Sequence, residues 1–319
     1  MGAVFEPGFF TSSPVHVAIV IGTVVAVVSA VVGVFTVMRG QSFAGHALTD
    51  VATAGGAGAF LIGMSPLLGF VGLSTAGAGV LEMIGVQRAR GRDLATGLVL
   101  GAAIGLSALF LYLASTTTAT TGATQQILFG SIFTTDPGTI PLVVGFSVVA
   151  LGAIAIAYRP LLLSTVSPDI AAARGVFVRG AGLLFMLALA VAVGLSSLAI
   201  GTILSTALLI GPPATALRLT RSVGRALLVA SLIGVGATWL GVLLAYDSYY
   251  WGSSHQALPV SFFIVAIVFV TYLLSGLRRS ARPRTAAAPG AAPSHAAASP
   301  ATPSRATPAH AAAPNQATG

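Results

Sequence analysis

The chain of 319 residues is 55% hydrophobic and only 7% charged, where a soluble domain carries about 25%, so a water-facing globular surface is excluded. The absence of cysteine excludes disulfides, thiolate metal sites and cysteine nucleophiles. The net charge of +8 comes from arginines set between apolar runs; that is the positive-inside pattern of a membrane protein and speaks against nucleic acid as a partner.

A bilayer-spanning helix takes about 20 mostly apolar residues. Runs of that kind cover residues 15–38, 47–64, 67–86, 94–114 and 139–158, then 181–199, 200–217, 226–246 and 260–277. The first is preceded by Glu6, with no Lys or Arg, and is too long for a signal-peptide core, so it is expected to stay as a helix. The second is rich in glycine, Ser65-Pro66 turns it tightly into the third, and the sixth and seventh run together without a polar loop. With nine spans, Arg39, the Arg88–Arg92 cluster, Arg159–Arg179, Arg218–Arg225 and the arginines after residue 277 all fall on one side. That side is expected to be cytoplasmic, with the N-terminus outside and the C-terminus inside. Tyr249, Tyr250 and Trp251 suit an interfacial aromatic belt on the opposite side. The fold class expected is therefore all-α, a polytopic transmembrane helical bundle of about nine helices over residues 1–279. Residues 280–319 are dominated by Ala, Pro, Ser and Thr and are expected to form a disordered cytoplasmic tail.

A charge near the bilayer centre costs about 2.5–3.5 kcal/mol on insertion scales, so ionisable residues within spans are functional candidates. Three qualify: His46, Asp50 and Glu82. His46 and Asp50 are four apart and share one helix face. An imidazole nitrogen and a carboxylate oxygen so placed form a mixed set suited to manganese, zinc or iron(II). The same spacing also serves a plain His–Asp hydrogen bond near a helix start. Small residues surround the pair, with Gly55, Gly56 and Gly58 following, and permit close helix packing. Glu82, a turn before the arginine cluster, is read as an arginine partner, and His16 and His255 as solvated. Asp169 to Gly175 includes three consecutive alanines and reads as a short helix on the cytoplasmic face.

Several segments resemble the metal-type permeases of ABC importers, over roughly residues 14–279. Met38 to Gly45 is similar to that family's turn into its second helix, and Ile127 to Ile132 to its Leu-Phe-Gly-Ser stretch. Ser167 to Gly175 resembles its cytoplasmic coupling segment, and Ala207 to Ala216 its small-residue helix broken by proline. The family pattern Gly-Asp-Ala-x-Ser-His places Asp and His as metal-pathway ligands. Here His46 and Asp50 fill those two slots in exchanged order, and Ala54 stands where the family has proline.

The resemblance implies a type II ABC importer-like permease for a divalent metal ion (manganese, zinc or iron(II)) in the plasma membrane of a bacterium. It implies His46 and Asp50 as pathway ligands, and Asp169, Ile170, Ala171, Arg174 and Gly175 as the contact with an ABC ATPase subunit. Further partners implied are an extracytoplasmic metal-binding protein and a second permease copy, with no permanently bound cofactor. The chain contains no lysine, so it holds no Gly-x-x-x-x-Gly-Lys phosphate loop and is not expected to be an enzyme. The alternative is a secondary transporter without an ATPase, using Asp50 or Glu82 as a proton-coupled carboxylate and a helix break at Pro212-Pro213 as substrate site.

Overall fold

The structure, a computed structural model, describes residues 9, 12–83, 89–117, 122–130, 132–175, 177–249 and 258–280. These residues form α-helices and no β-strand. The long helices are α1 Ser13–Met38, α2 Ser42–Leu61, α3 Pro66–Met83, α4 Ala89–Thr117, α6 Ile140–Val166, α8 Val178–Ile200, α9 Thr202–Leu219, α10 Val223–Ser248 and α11 Val260–Ser280. Two short helices, α5 Ala123–Phe129 and α7 Pro168–Ala173, and a 3-10 turn at Pro137–Thr139 lie between them. Among the described residues each expected span coincides with a long helix, and 8 of these helices are long and apolar enough to cross a membrane. The exception is α2, whose sequence is diluted by glycine, threonine, His46 and Asp50. Residues 281–319, Arg88, Tyr250, Trp251 and His255 lie outside the described residues.

The core is built on α8. From Ala188 to Ile200 every residue of this helix is buried, as expected of a helix apolar on all sides. α1 packs beside it and hydroxyls tie the neighbours together. Ser29 and Ser196 share a hydrogen bond of 2.7 Å between α1 and α8. Ser74 on α3 donates to the Ala190 carbonyl at 3.0 Å. In an apolar surrounding such bonds satisfy groups that lipid cannot.

The ends of the helices sort into two rims. At one rim Arg39, capping α1, donates to Ser164 of α6 at 3.0 Å and lies 5.3 Å over the ring of Phe185 on α8. Arg218, near the end of α9, hydrogen-bonds Tyr272 of α11 and stacks on its ring. At the other rim Phe9 packs edge-on against Tyr246 of α10, and Thr202 of α9 donates to the Ile127 carbonyl of α5. The arginine-bearing rim therefore gathers the ends that the charge pattern assigns to one side.

Two expectations about helix ends need correction. The fifth span does not stop at residue 158; α6 continues through Pro160 to Val166. Burial of Leu161 and the bond from Arg39 to Ser164 hold this extension in place. Nor do Pro212 and Pro213 break α9, which is helical from Thr202 to Leu219. Pro213 has no N–H for the Leu209 carbonyl four residues back. Gly33 of α1 lies against that carbonyl so closely that a Cβ there would collide with it. The orphaned acceptor is thus covered by a neighbouring backbone, and the helix survives.

Two glycines set where the site-bearing helices begin. Gly40, at φ 63°, ends α1 with Gln41 N–H donating to Thr36 and Gly40 N–H to Val37, and α2 starts immediately after. Gly201, at φ 80°, parts the expected sixth and seventh spans and turns α8 into α9. Its backbone packs against Gly130 at the end of α5, with no room for a Cβ on either residue.

Candidate functional site

α2 is nearly enclosed despite its low hydropathy. Gly55 and Gly69 let α2 and α3 touch backbone to backbone, and Gly56 lies against the ring of Phe70. Gly77 of α3 receives Val51, and Gly58 faces Phe110 of α4. The part of α2 left uncovered carries His46 and Asp50, whose side chains are 50% and 24% exposed.

Three neighbours fix the height of this pair in the bundle. Gly45, next to His46, packs beside Leu189, midway along α8, and Leu209, near the middle of α9. Ser107, in the middle third of α4, donates to the Asp50 carbonyl at 3.1 Å. The ionisable pair therefore sits at mid-height among apolar helices, where a charge without a purpose is costly.

His46 Nε2 and Asp50 Oδ2 lie 4.0 Å apart, too far for a hydrogen bond. Asp50 Oδ2 is buried and receives no hydrogen bond. The plain His–Asp hydrogen bond is thus not formed. An unsatisfied buried acceptor costs about 1–3 kcal/mol, more for a charged group. A cation at this point removes that cost. A divalent transition metal held about 2.1 Å from each atom in neighbouring positions needs them about 3–3.4 Å apart, which a small side-chain rotation supplies. Among the described residues no group of three or more His, Cys, Asp and Glu converges. His46 and Asp50 thus offer two donor atoms, fewer than the four to six that a divalent ion takes.

Hydroxyls complete the surroundings. Thr206 of α9 is 3.3 Å from His46 Nδ1 and 3.4 Å from the Thr49 hydroxyl. Ser205 reaches the same hydroxyl at 3.5 Å, and Thr49 donates to the Gly45 carbonyl at 3.1 Å. None of Thr49, Ser107, Ser205 and Thr206 was singled out from sequence. The available signal was a polar Ser205-Thr206 pair inside an apolar helix, and Thr49 between the two candidate ligands.

The other sequence candidates lie apart from this pair. Glu82 lies within electrostatic reach of Arg39 and Arg179 at the arginine rim, and the side chains of the Arg88–Arg92 cluster lie outside the described residues. His16 is exposed near the start of α1. Asp169, Ile170 and Ala171 lie in α7, which Ser167 caps by accepting from the Ile170 N–H at 3.4 Å; Arg174 ends it and Gly175, at φ 73°, turns the chain away. Ile170 is 55% exposed and Arg174 is exposed, whereas Ala171 is fully buried. A cleft of about 360 Å³ opens at the opposite rim between α5 and the start of α11, lined by Gln125, Gln126, Phe133 and Leu258. It contains no ionisable residue.

Comparison with known proteins agrees with this architecture. Residues 13–276 match the ABC 3 transport family. The chain is 28% identical over 230 residues to the manganese import system permease protein ScaB of Streptococcus gordonii, covering 72% of this chain and 81% of that one. It is 27% identical over 245 residues to the manganese transport system membrane protein MntC of Listeria monocytogenes, covering 76% and 85%. Its fold matches a chain in the solved structure of PsaBC from Streptococcus pneumoniae in complex with Fab, with a TM-score of 0.70 and 25% identity over 84% of this chain and 92% of that one.

Proposed function

From a chain that belongs to the ABC 3 transport family, we propose the membrane-spanning permease subunit of an ATP-driven importer of divalent metal ions, with manganese as the principal cargo. The observation that carries this reading is the mid-height pair His46 and Asp50, held open at 4.0 Å with one carboxylate oxygen lacking any donor. The relatives named as manganese permeases support the choice of cargo. A nitrogen and a carboxylate oxygen suit manganese and leave zinc and iron(II) as competitors.

In this reading the open face of α2 borders a path between two permease copies, in the plasma membrane of a bacterium. Each copy contributes one imidazole and one carboxylate. The pair takes the ion in place of part of its hydration shell, and two ligands per copy hold it weakly enough to release it. An extracytoplasmic binding protein delivers the ion at the rim opposite the arginines, and the N-terminus lies on that side. α7 docks into an ATPase subunit at the arginine rim through Ile170 and Arg174, with Asp169 and Gly175 shaping the segment. Ala171 serves that contact from inside, as the residue anchoring α7 to the bundle. ATP hydrolysis belongs to the partner, because this chain has no lysine for a phosphate loop.

The secondary-transporter alternative gains no support from α9, which has no unwound segment at Pro212-Pro213. The test of the proposed function is radiolabelled manganese uptake by host cells with this gene deleted and then restored, against competing zinc and iron(II). The expected result is lost uptake that the restored gene returns and that manganese competes most strongly. Uptake independent of the gene contradicts the reading.

A further inference from the structure

The hydroxyls around His46 form a chain whose direction can be worked out. A backbone carbonyl only accepts hydrogen bonds, so the Thr49 hydroxyl spends its one proton on Gly45, at 3.1 Å. Ser205 spends its own proton on the Thr202 carbonyl, at 3.1 Å, so the donor left for Thr49 Oγ1 is Thr206, 3.4 Å away, and that bond uses the Thr206 proton. Thr206 Oγ1 is left as an acceptor toward His46 Nδ1, at 3.3 Å. In the neutral imidazole one nitrogen carries the proton and the other the lone pair. With the chain running in this direction, a neutral His46 carries its proton on Nδ1 and turns the Nε2 lone pair toward Asp50 Oδ2, 4.0 Å away.

We propose that Thr206 is a positioning residue for the ion site, holding His46 in the tautomer and orientation that present Nε2 to the cation. This rests on the reading of His46 and Asp50 as cargo ligands. Thr206 does not itself touch the ion. Its hydroxyl belongs to α9 and not to α2, so it reaches the ligand from a separate helix and fixes the ring against rotation. Metal-bound histidines commonly donate their second ring N–H to a fixed acceptor, and loss of that acceptor typically costs 10–100-fold in metal affinity or activity. Without it, the competent state becomes a fraction of the population, and the apparent affinity falls by that fraction.

The test is initial-rate uptake of radiolabelled manganese by the whole transporter in its native host, comparing Thr206→Val, Thr206→Ser and Asp50→Asn. Valine keeps the branched shape and removes the hydroxyl; serine keeps the hydroxyl. The expected result for Thr206→Val is a KM raised about 10-fold or more with the maximal rate retained, and for Thr206→Ser a KM near wild type. Where the valine variant does not accumulate in the membrane, Thr206→Ala is measured in its place. A wild-type KM in the hydroxyl-free variant overturns the assignment, as does an equal fall of maximal rate in the valine and serine variants, which marks a packing role. If Asp50→Asn transports normally, the ion-site reading itself fails; if Asp50→Asn is inactive and Thr206→Val is normal, only the role of Thr206 is lost.

Discussion

Gly55 of α2 and Gly69 of α3 each stand where an added Cβ would strike the carbonyl oxygen of the other. The two backbones meet at this crossing, and it holds the polar helix α2 inside the bundle.

Gly55→Val or Gly69→Leu should therefore force α2 and α3 apart. Overpacking a side chain costs about 1–3 kcal/mol, and a collision with rigid backbone belongs at the upper end or above. The expected outcome is a lower melting temperature and poor accumulation in the membrane, read by thermal unfolding of the solubilised protein. Gly72→Ala, where nothing lies within 4 Å of the added Cβ, should leave both unchanged.

The continuity of α9 through its two prolines can be measured directly, because the chain has no cysteine to interfere. Ile203 and Leu219 are both exposed. Spin labels at Ile203→Cys and Leu219→Cys should report a backbone separation of about 24 Å, from a 1.5 Å rise per residue. A clearly longer or broad distribution would mean that the helix opens at Pro212-Pro213.

Most of the scaffold was legible in the sequence, because crossing a bilayer imposes a length and an apolar composition on each helix. Arginine placement was equally informative about which helix ends share a rim. What escaped were features decided by contacts remote in sequence. The fifth span was expected to stop at residue 158, where the apolar run meets Arg159, yet α6 continues to Val166 with Leu161 buried against the core. The proline pair read as a break, yet Gly33 lies 180 residues before Pro213 and covers its orphaned carbonyl. The His46–Asp50 pair was visible through its spacing alone. Its partners Thr206 and Ser107 were not, since nothing in a linear sequence brings α9 and α4 beside α2.

Arg39 ties α1 to both α6 and α8 through Ser164 and the ring of Phe185. Arg39→Met removes a charged hydrogen bond and a stacked cation, with an expected destabilisation of about 2 kcal/mol. Arg39→Lys should not fully restore stability, since an ammonium lacks the planar fork that both stacks and bonds. Thermal unfolding of the two variants checks the order.

At α7, exposed Ile170 and buried Ala171 should behave differently. Ile170→Asp is expected to leave the folded protein intact while reducing recovery of an ATPase subunit with the tagged permease. Ala171→Leu should instead lower thermal stability, by about 1–3 kcal/mol of overpacking. Equal effects of the two substitutions on both measurements would contradict docking through the exposed side of α7.

The role of the mid-height pair is tested most directly by Asp50→Asn, which keeps the shape of the side chain and removes its charge. Radiolabelled manganese uptake is measured in the whole transporter, with the amount of folded permease in the membrane determined alongside. The account predicts uptake lower by about 100-fold, the upper end of what even a ligand's supporting partner costs, at unchanged protein level. Uptake equal to wild type would contradict it.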